Sequence, residues 1–257
     1  MSTIDKALSL LDLFSESRPE SGLSELARLA GYDKATTRRF LVALTNNGYL
    51  EQDTVSKKYR LGPALLRLAR VREATFPISD LVQPVINDLR DQTGETAHFS
   101  LVAGTSMATM LTAESLRANR VSLENGERLP LHCTASGIAW LAHAPVPMVK
   151  RLLSRPLKAE TAHTITDPEQ LKTMIECART SGVAVAEQSY ENDVQGIAAA
   201  VFDETGRANG TIAVATPLSR VTPESTAMVK NAVLEASCEI TRRQGGTPRK
   251  PLLTSGA

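Results

Sequence analysis

Between residues 33 and 50 the chain reads DKATTRRFLVALTNNGYL, and Lys34, Thr36, Thr37, Arg38 and Arg39 crowd the head of its apolar-periodic run. Short hydroxyls and cationic groups at the start of a helix are what phosphate oxygens and base edges in a major groove can meet. Lys57 and Lys58 follow in a polar turn flanked by Tyr49, Leu50 and by Tyr59, Leu61, a second cationic edge suited to the phosphate backbone. A different chemistry is offered by LHCTASGIAW, residues 131–140, where Thr134 and other small residues lead into a helix. The amides of Ala135, Ser136 and Gly137 in its first turn lack intrahelical acceptors, a natural seat for a carboxylate. His132, Cys133 and Ser136 raise a third possibility, since Cys–His pairs can act as nucleophile and base. Adjacent residues on an extended strand point to opposite faces, which sets His132 and Cys133 apart.

The elements that must hold the first of these groups are short. Ile4, Ala7, Leu8, Leu10, Leu11 and Phe14 predict a helix over 3–15. LSELARLAG predicts a second, with Ser24 as N-cap and Gly31 as stop. Asp33 caps a third, with Phe40, Leu41, Ala43 and Leu44 inward, Lys34, Thr36, Arg38 and Val42 or Thr45 outward, and Gly48 as its end. A two-stranded ribbon through YLEQDTVSKKYRLG completes the order of a winged helix-turn-helix, with double-stranded DNA as its partner. The candidate DNA-facing residues are Ser24, Lys34, Thr36, Thr37, Arg38, Arg39, Lys57, Lys58 and Arg60.

Charge supports this division of the chain. The whole sequence of 257 residues is nearly neutral, with 29 basic and 28 acidic side chains. Residues 28–72 nevertheless hold ten Lys or Arg against three acids, the mark of a basic module joined to a mildly acidic one. The three cysteines are far apart and form no Cys-x-x-Cys pair, so neither a disulfide framework nor a zinc site is expected, and a reducing cytoplasm is. No apolar run nears the roughly 20 residues of a membrane span. No metal spacing, nucleophile elbow or phosphate-binding loop occurs, so no cofactor is expected and catalysis is the weakest reading. A small-molecule sensor or adaptor whose DNA-binding half has decayed is the stronger alternative.

GPALLRLARVREA spaces Leu65, Leu66, Leu68, Ala69 and Val71 as a helix, either an ordinary surface helix or a linker on which two subunits pair. Beyond Pro77 come a helix closed by Gly94, a hairpin in TAHFSLVAG and SMATMLTAES, a strand in RVSLENG, and helices at 134–143, 147–153 and 167–181. Strands near 183–187, 196–202 and 209–216 and a last helix capped by Thr222 follow, giving an α+β domain with a largely antiparallel sheet. Strand alternation puts Ala213 and Ala215 opposite Ile212 and Val214, and Ala184 and Ala186 opposite Val183 and Val185, with Gly196 adding a further position without bulk. Such rows either receive a tightly packed helix or floor a cavity. His98 and Ser100 share a strand face nearby. The expected domains are 1–62, a linker helix at 63–76, an effector domain at 77–244 and a disordered tail at 245–257.

These segments, taken in order, resemble the isocitrate lyase regulator (IclR) family of bacterial transcription factors. The likeness runs through IDKALSLLDLF, LSELARLAGYDKATTRRFLVALTNNGYLEQD, KKYRLGPALLRLA, LPLHCTASGIAWLA and GVAVAEQSYENDVQGIAAAVFDETGRANGTIAVA. It implies a winged helix-turn-helix, a linker helix and a GAF-like effector domain, in dimers or tetramers on pseudo-palindromic operators. It places Lys34, Ala35, Thr36, Thr37, Arg38 and Arg39 at the head of the recognition helix, with Thr37 and Arg38 where operator choice should be encoded. It adds Val121, Leu129 and Val194 to an effector pocket that receives a small organic acid at the 134–137 loop. Members that sense short oxo-acids carry an Asp where this chain has Ala186, a Cys at Gly196 and serines at Ala213 and Ala215. Those losses imply a bulkier, partly apolar acid, aromatic acids included. Ile138 and Asp193 also depart from the family pattern, which has a cation and a glycine there.

Overall fold

Local capping and the periodicity of apolar residues generate most elements of the chain. The computed structural model describes residues 2–75 and 77–249 and divides into two compact units between Pro77 and Ile78. In the first, α1 (Thr3–Leu8) begins with a reciprocal cap between Ser2 and Asp5. The single helix expected over 3–15 is broken, because the Ser9 hydroxyl turns back onto the Lys6 carbonyl at 2.9 Å and competes with the helical ladder. A 3-10 turn at Leu11–Leu13 follows. α2 (Leu23–Ala30) is capped by Gly22 rather than Ser24, which lies exposed inside its first turn. Gly31, at φ 69°, closes it.

α3 (Lys34–Asn46) starts where the Asp33 carboxylate accepts the Thr36 amide at 2.8 Å. Its buried stripe is Thr37, Phe40, Leu41 and Leu44, packed with Leu10, Phe14, Leu26, Leu50 and Tyr59. Ala43, expected inward, is exposed one step off that stripe. The expected two-stranded ribbon is three-stranded: β1 (Glu20–Ser21) pairs with β3 (Tyr59–Leu61), which pairs with β2 (Leu50–Gln52), all antiparallel. α4 (Pro63–Thr75) buries none of its residues, and Leu66, Leu68 and Val71 stand in solvent.

The second unit is a six-stranded antiparallel sheet in the order β6-β5-β4-β9-β8-β7. Its strands are β4 (Thr96–Ala103), β5 (Ser106–Ala113), β6 (Arg128–Pro130), β7 (Ala184–Glu187), β8 (Val194–Phe202) and β9 (Ala208–Pro217). One face carries α5 (Ile78–Thr93) and α9 (Pro223–Arg243), joined by a core that includes Ile86, Leu89, Phe99, Ile212, Val214 and Val233. Each such side chain, fully buried, contributes about 1.5–3 kcal/mol. The other face carries α6 (Ala135–Leu141) and α8 (Pro168–Ser181), with α7 (Val146–Leu153) beyond. RVSLENG forms no strand: the edge of β5 is taken by β6, where Met107 pairs with Leu129. Residues 245–249, expected in a disordered tail, pack on the domain. The Gly246 amide reaches the Thr241 carbonyl at 2.8 Å, and the Arg249 guanidinium lies 4.7 Å from the Phe202 ring centre. The rest of that expected tail lies outside the described residues.

α6 is seated by glycine. A Cβ at Gly137 would stand 2.4 Å from the Leu131 Cα and carbonyl oxygen, closer than side chains approach backbone. Gly137→Ala is expected to lower stability by roughly 1–3 kcal/mol, read from the urea midpoint; an unchanged midpoint would mean that this close approach is dispensable.

Candidate nucleic-acid edge and ligand cavity

The head of α3 presents Lys34, Ala35, Arg38 and Arg39 to solvent, with Thr36 half-buried. Lys34, Arg38 and Arg39 enter no ion pair among the described residues, and Arg39 lies 5.6 Å from the Phe40 ring centre. Thr37 is the exception. It is fully buried, and its hydroxyl donates to the Asp33 carbonyl at 2.8 Å. Its place in the stripe with Phe40, Leu41 and Leu44 removes it from any groove, so the expectation that it reads operator bases is corrected to a packing role.

Across the wing, Asp53 builds the turn by accepting the Val55 and Ser56 amides at 3.0 and 2.6 Å. These bonds, that of Ser56 foremost, hold its carboxyl below the usual range. Lys57, at φ 59°, projects without an ion pair among the described residues, whereas Lys58 pairs with Glu20 at 2.6 Å and Arg60 with Glu51 at 2.9 Å. Exposed pairs of this kind contribute little to stability, so either cation can exchange its partner.

In the second unit one cavity is lined by Val121, Leu129, Thr134, Ala135, Ser136, Ala186, Val194, Gly196, Ala213, Ala215 and His98. Two expected residues fall outside it. Gly137 faces Leu131, and its amide is taken by the Thr134 hydroxyl at 3.1 Å, so only the Ala135 and Ser136 amides of that turn stay open. Ser100 is buried beyond His98, where the strand register sets it beside Thr109 and Thr211. Leu123, Cys133, Ser189, Tyr190 and Glu191 line the cavity without having been expected there. Leu123 follows Val121 at a spacing of two, and the other four neighbour residues already singled out, so proximity was the available signal.

The space is small, about 60 Å³ counted as room for the centre of a water-sized sphere. That is well short of the roughly 150 Å³ cavity that takes a benzene ring. Ala135 explains the shortfall: a Cβ on Gly196 would meet its Cβ at 3.2 Å, so α6 fills the space that the small sheet residues leave. Both readings of the alanine rows hold, in different places. Ala184 and Ala198 receive α6, while Ala186, Ala213 and Ala215 floor the cavity.

The walls are mainly apolar, and no Lys or Arg belongs to them. His98, 5% exposed, shares a 3.3 Å hydrogen bond between Nε2 and the Ser136 hydroxyl, while its Nδ1 has no partner among the described residues. Burial pushes this imidazole down to about 4. At the mouth, burial and the charge of Glu127 raise the Glu191 carboxyl, and burial raises that of Glu127, which accepts the Tyr190 hydroxyl at 3.3 Å. Cys133 is pushed up to about 12 by burial and then by Glu160, and His132 Nε2 is engaged with the Lys158 carbonyl at 2.8 Å. The thiol therefore stays protonated and unpaired with an imidazole, which leaves no activated nucleophile there.

The Val121 wall is pinned from behind. Thr96 Oγ1 donates to the Val121 carbonyl at 2.6 Å, and the Ser115 hydroxyl donates to Gly94 at 2.7 Å. Buried Glu95 receives Arg220 at 2.6 and 2.5 Å and Arg117 at 2.9 Å. No group of metal-binding side chains and no helix fit to cross a membrane occurs among the described residues.

A winged helix-turn-helix unit and a sheet domain enclosing a small cavity define a ligand-responsive DNA-binding regulator. The model of the IclR helix-turn-helix domain matches residues 3–54, and that of the bacterial transcriptional regulator IclR C-terminal domain matches residues 74–242; the chain belongs to the IclR family. It is 30% identical to the HTH-type transcriptional regulator BhcR of Paracoccus denitrificans, over 96% of this chain and 88% of that protein. A crystal structure of an IclR-type regulator from Silicibacter sp. TM1040 is 38% identical, with a TM-score of 0.87 over 98% of this chain and all of that one. An IclR homologue from Microbacterium hydrocarbonoxydans, solved in complex with 4-hydroxybenzoate, shares the fold with a TM-score of 0.76 at 23% identity, covering 95% and 99% of the two chains.

The buried imidazoles set an acid limit on stability. His98 and His143 both lie near 4 in the folded chain, the latter through burial, then Arg249 and Arg179. The unfolded chain therefore takes up protons between about pH 6.5 and 4 that the folded chain refuses, and stability falls as pH drops through that window. Glu127 and Glu191, raised on folding, act in the opposite sense. His98→Gln should remove on the order of 1–2 kcal/mol of the loss between pH 7 and 5, seen as a flatter melting temperature; an identical acid slope would show that His98 is not neutral and buried.

Proposed function

We propose that the first unit binds a pseudo-palindromic operator as part of a dimer or dimer of dimers, and that a small carboxylate in the second unit controls it. The observation that carries the DNA reading is the exposed cationic head of α3, without ion pairs among the described residues, where Arg38 is placed to meet a base edge. Arg39 and Lys34 suit phosphates, Ser24 and Lys57 flank them, and Lys58 and Arg60 join by exchanging their carboxylate partners. The bare apolar side of α4 supports subunit pairing, which sets two α3 helices about one turn of DNA apart.

Arg38→Ala should change operator preference at a cost of about 1–3 kcal/mol, whereas Lys57→Ala should weaken all sequences alike and lower the salt slope by about one. Thr37→Val should leave preference unaltered. Fluorescence anisotropy on operator and scrambled DNA from low to high salt separates these cases; no binding at low salt, or no salt slope, would sink the regulator reading and favour a sensor or adaptor.

For the ligand, the open Ala135 and Ser136 amides and the largely apolar walls support a compact monocarboxylate. The Microbacterium homologue's 4-hydroxybenzoate is an acid too, but a ring of that size needs the walls here to part. A thermal-shift screen of the full chain against small organic acids should yield stabilising carboxylates. Hits confined to neutral compounds would overturn the anion seat.

A further inference from the structure

We propose that the second unit carries a further ligand site, separate from the cavity beneath α6, which takes a small phosphate monoester between Arg179 and Arg249. It lies at the edge of the sheet, where β7 stops short. β7 pairs with β8 only over residues 195–198, so residues 199–202 of β8 have no strand on that side. The notch left there measures about 420 Å³, on the scale that gives about 60 Å³ for the first cavity. That is ample room for a small metabolite. α8 borders it through Arg179, α9 through Leu234, and Pro248 and Arg249 close its end.

Charge, open donors and apolar walls carry this together. Two guanidiniums from distant parts of the chain line the notch, and no carboxylate does. Both bear on His143 in the same wall, adding to the effect of its burial, so the notch holds a surplus of positive charge beside a neutral imidazole. Arg179 gives Nε to the Ala142 carbonyl at 2.7 Å and Nη1 to Glu176 at 2.8 and 2.7 Å, while Arg249 gives Nη2 to the Gly206 carbonyl at 2.9 Å. Nη2 of the first and Nε and Nη1 of the second have no hydrogen-bond partner among the described residues. Planar forks of this kind match phosphate oxygens two at a time. A monoester carries roughly −1.5 to −2 charge at pH 7, enough to answer both cations where a monocarboxylate answers one. Phe202, Leu234 and Pro248 supply apolar wall for the ester group. Phe202 also steadies the polar groups, with the His143 ring centre 4.9 Å and the Arg249 guanidinium 4.7 Å from its own.

The test uses the full-length protein and calorimetry with phenyl phosphate, inorganic phosphate, benzoate and phenol. Phenyl phosphate should bind about tenfold or more tightly than benzoate, from the second charged contact, and more tightly than inorganic phosphate, from the apolar walls. Phenol should give no heat. Arg249→Gln lies outside the helices and strands and should weaken phenyl phosphate about tenfold, with Arg249→Lys recovering part of the loss. Arg179→Gln should weaken it as well. In histidine-resolved NMR the His143 ring signal, assigned by its loss in His143→Gln, should move on saturation while that of His98 stays in place. No binding of phenyl phosphate, benzoate binding as tightly, affinity untouched by both arginine changes, or a shift at His98 in place of His143 would each overturn the site. None of these outcomes depends on a carboxylate occupying the α6 turn, which the thermal-shift screen tests separately.

Discussion

At the start of α6 the helix lies against the Leu131 backbone at a distance that only hydrogen on Gly137 permits, and against the sheet at a distance that only Ala135 over Gly196 permits. Much of the second unit follows from this approach. It brings the Thr134 hydroxyl onto the Gly137 amide, turns the Ser136 side chain to His98, and buries α6 from end to end. It also sets how much room remains beneath the helix. Small residues on the sheet do not make a large cavity when the covering helix descends to meet them.

The cavity is consequently bounded by parts of unequal rigidity. Its floor is the middle of a six-stranded sheet, and its roof is α6. The Val121 wall is a loop, but one tied to the junction of α5 and β4 by Thr96, Ser115 and the Glu95 cluster. Glu95 is buried, so its charge depends on these two guanidiniums, of which Arg220 is the better covered. The 188–193 segment, with Tyr190 and Glu191, carries no comparable buried ion pair among the described residues.

Much of this was legible from residue types. The caps at Asp33 and Thr222, the order of helices and strands, and the alternation that sends Ala213 and Ala215 to one face and Ile212 and Val214 to the other all follow local rules. Thr37 shows where residue type misleads: its spacing to Phe40, Leu41 and Leu44 is that of a buried stripe, yet a hydroxyl beside two arginines reads as a contact. The RVSLENG segment alternates like a strand, but pairing depends on which edge is free, and β6 occupies it. The cavity's volume was illegible for the same reason: composition describes the floor and not the height of the roof.

The wing lysine and arginine that pair with Glu20 and Glu51 have a thermodynamic consequence. These acids are covalently tethered counter-ions. In the proposed complex, a phosphate that takes Lys58 or Arg60 strands a carboxylate beside the nucleic acid, and that repulsion offsets part of the gain from the counter-ions the phosphates release. On that reading the wing is muted toward indiscriminate negative surfaces, and selectivity would rest on the head of α3, which has no ion pair among the described residues.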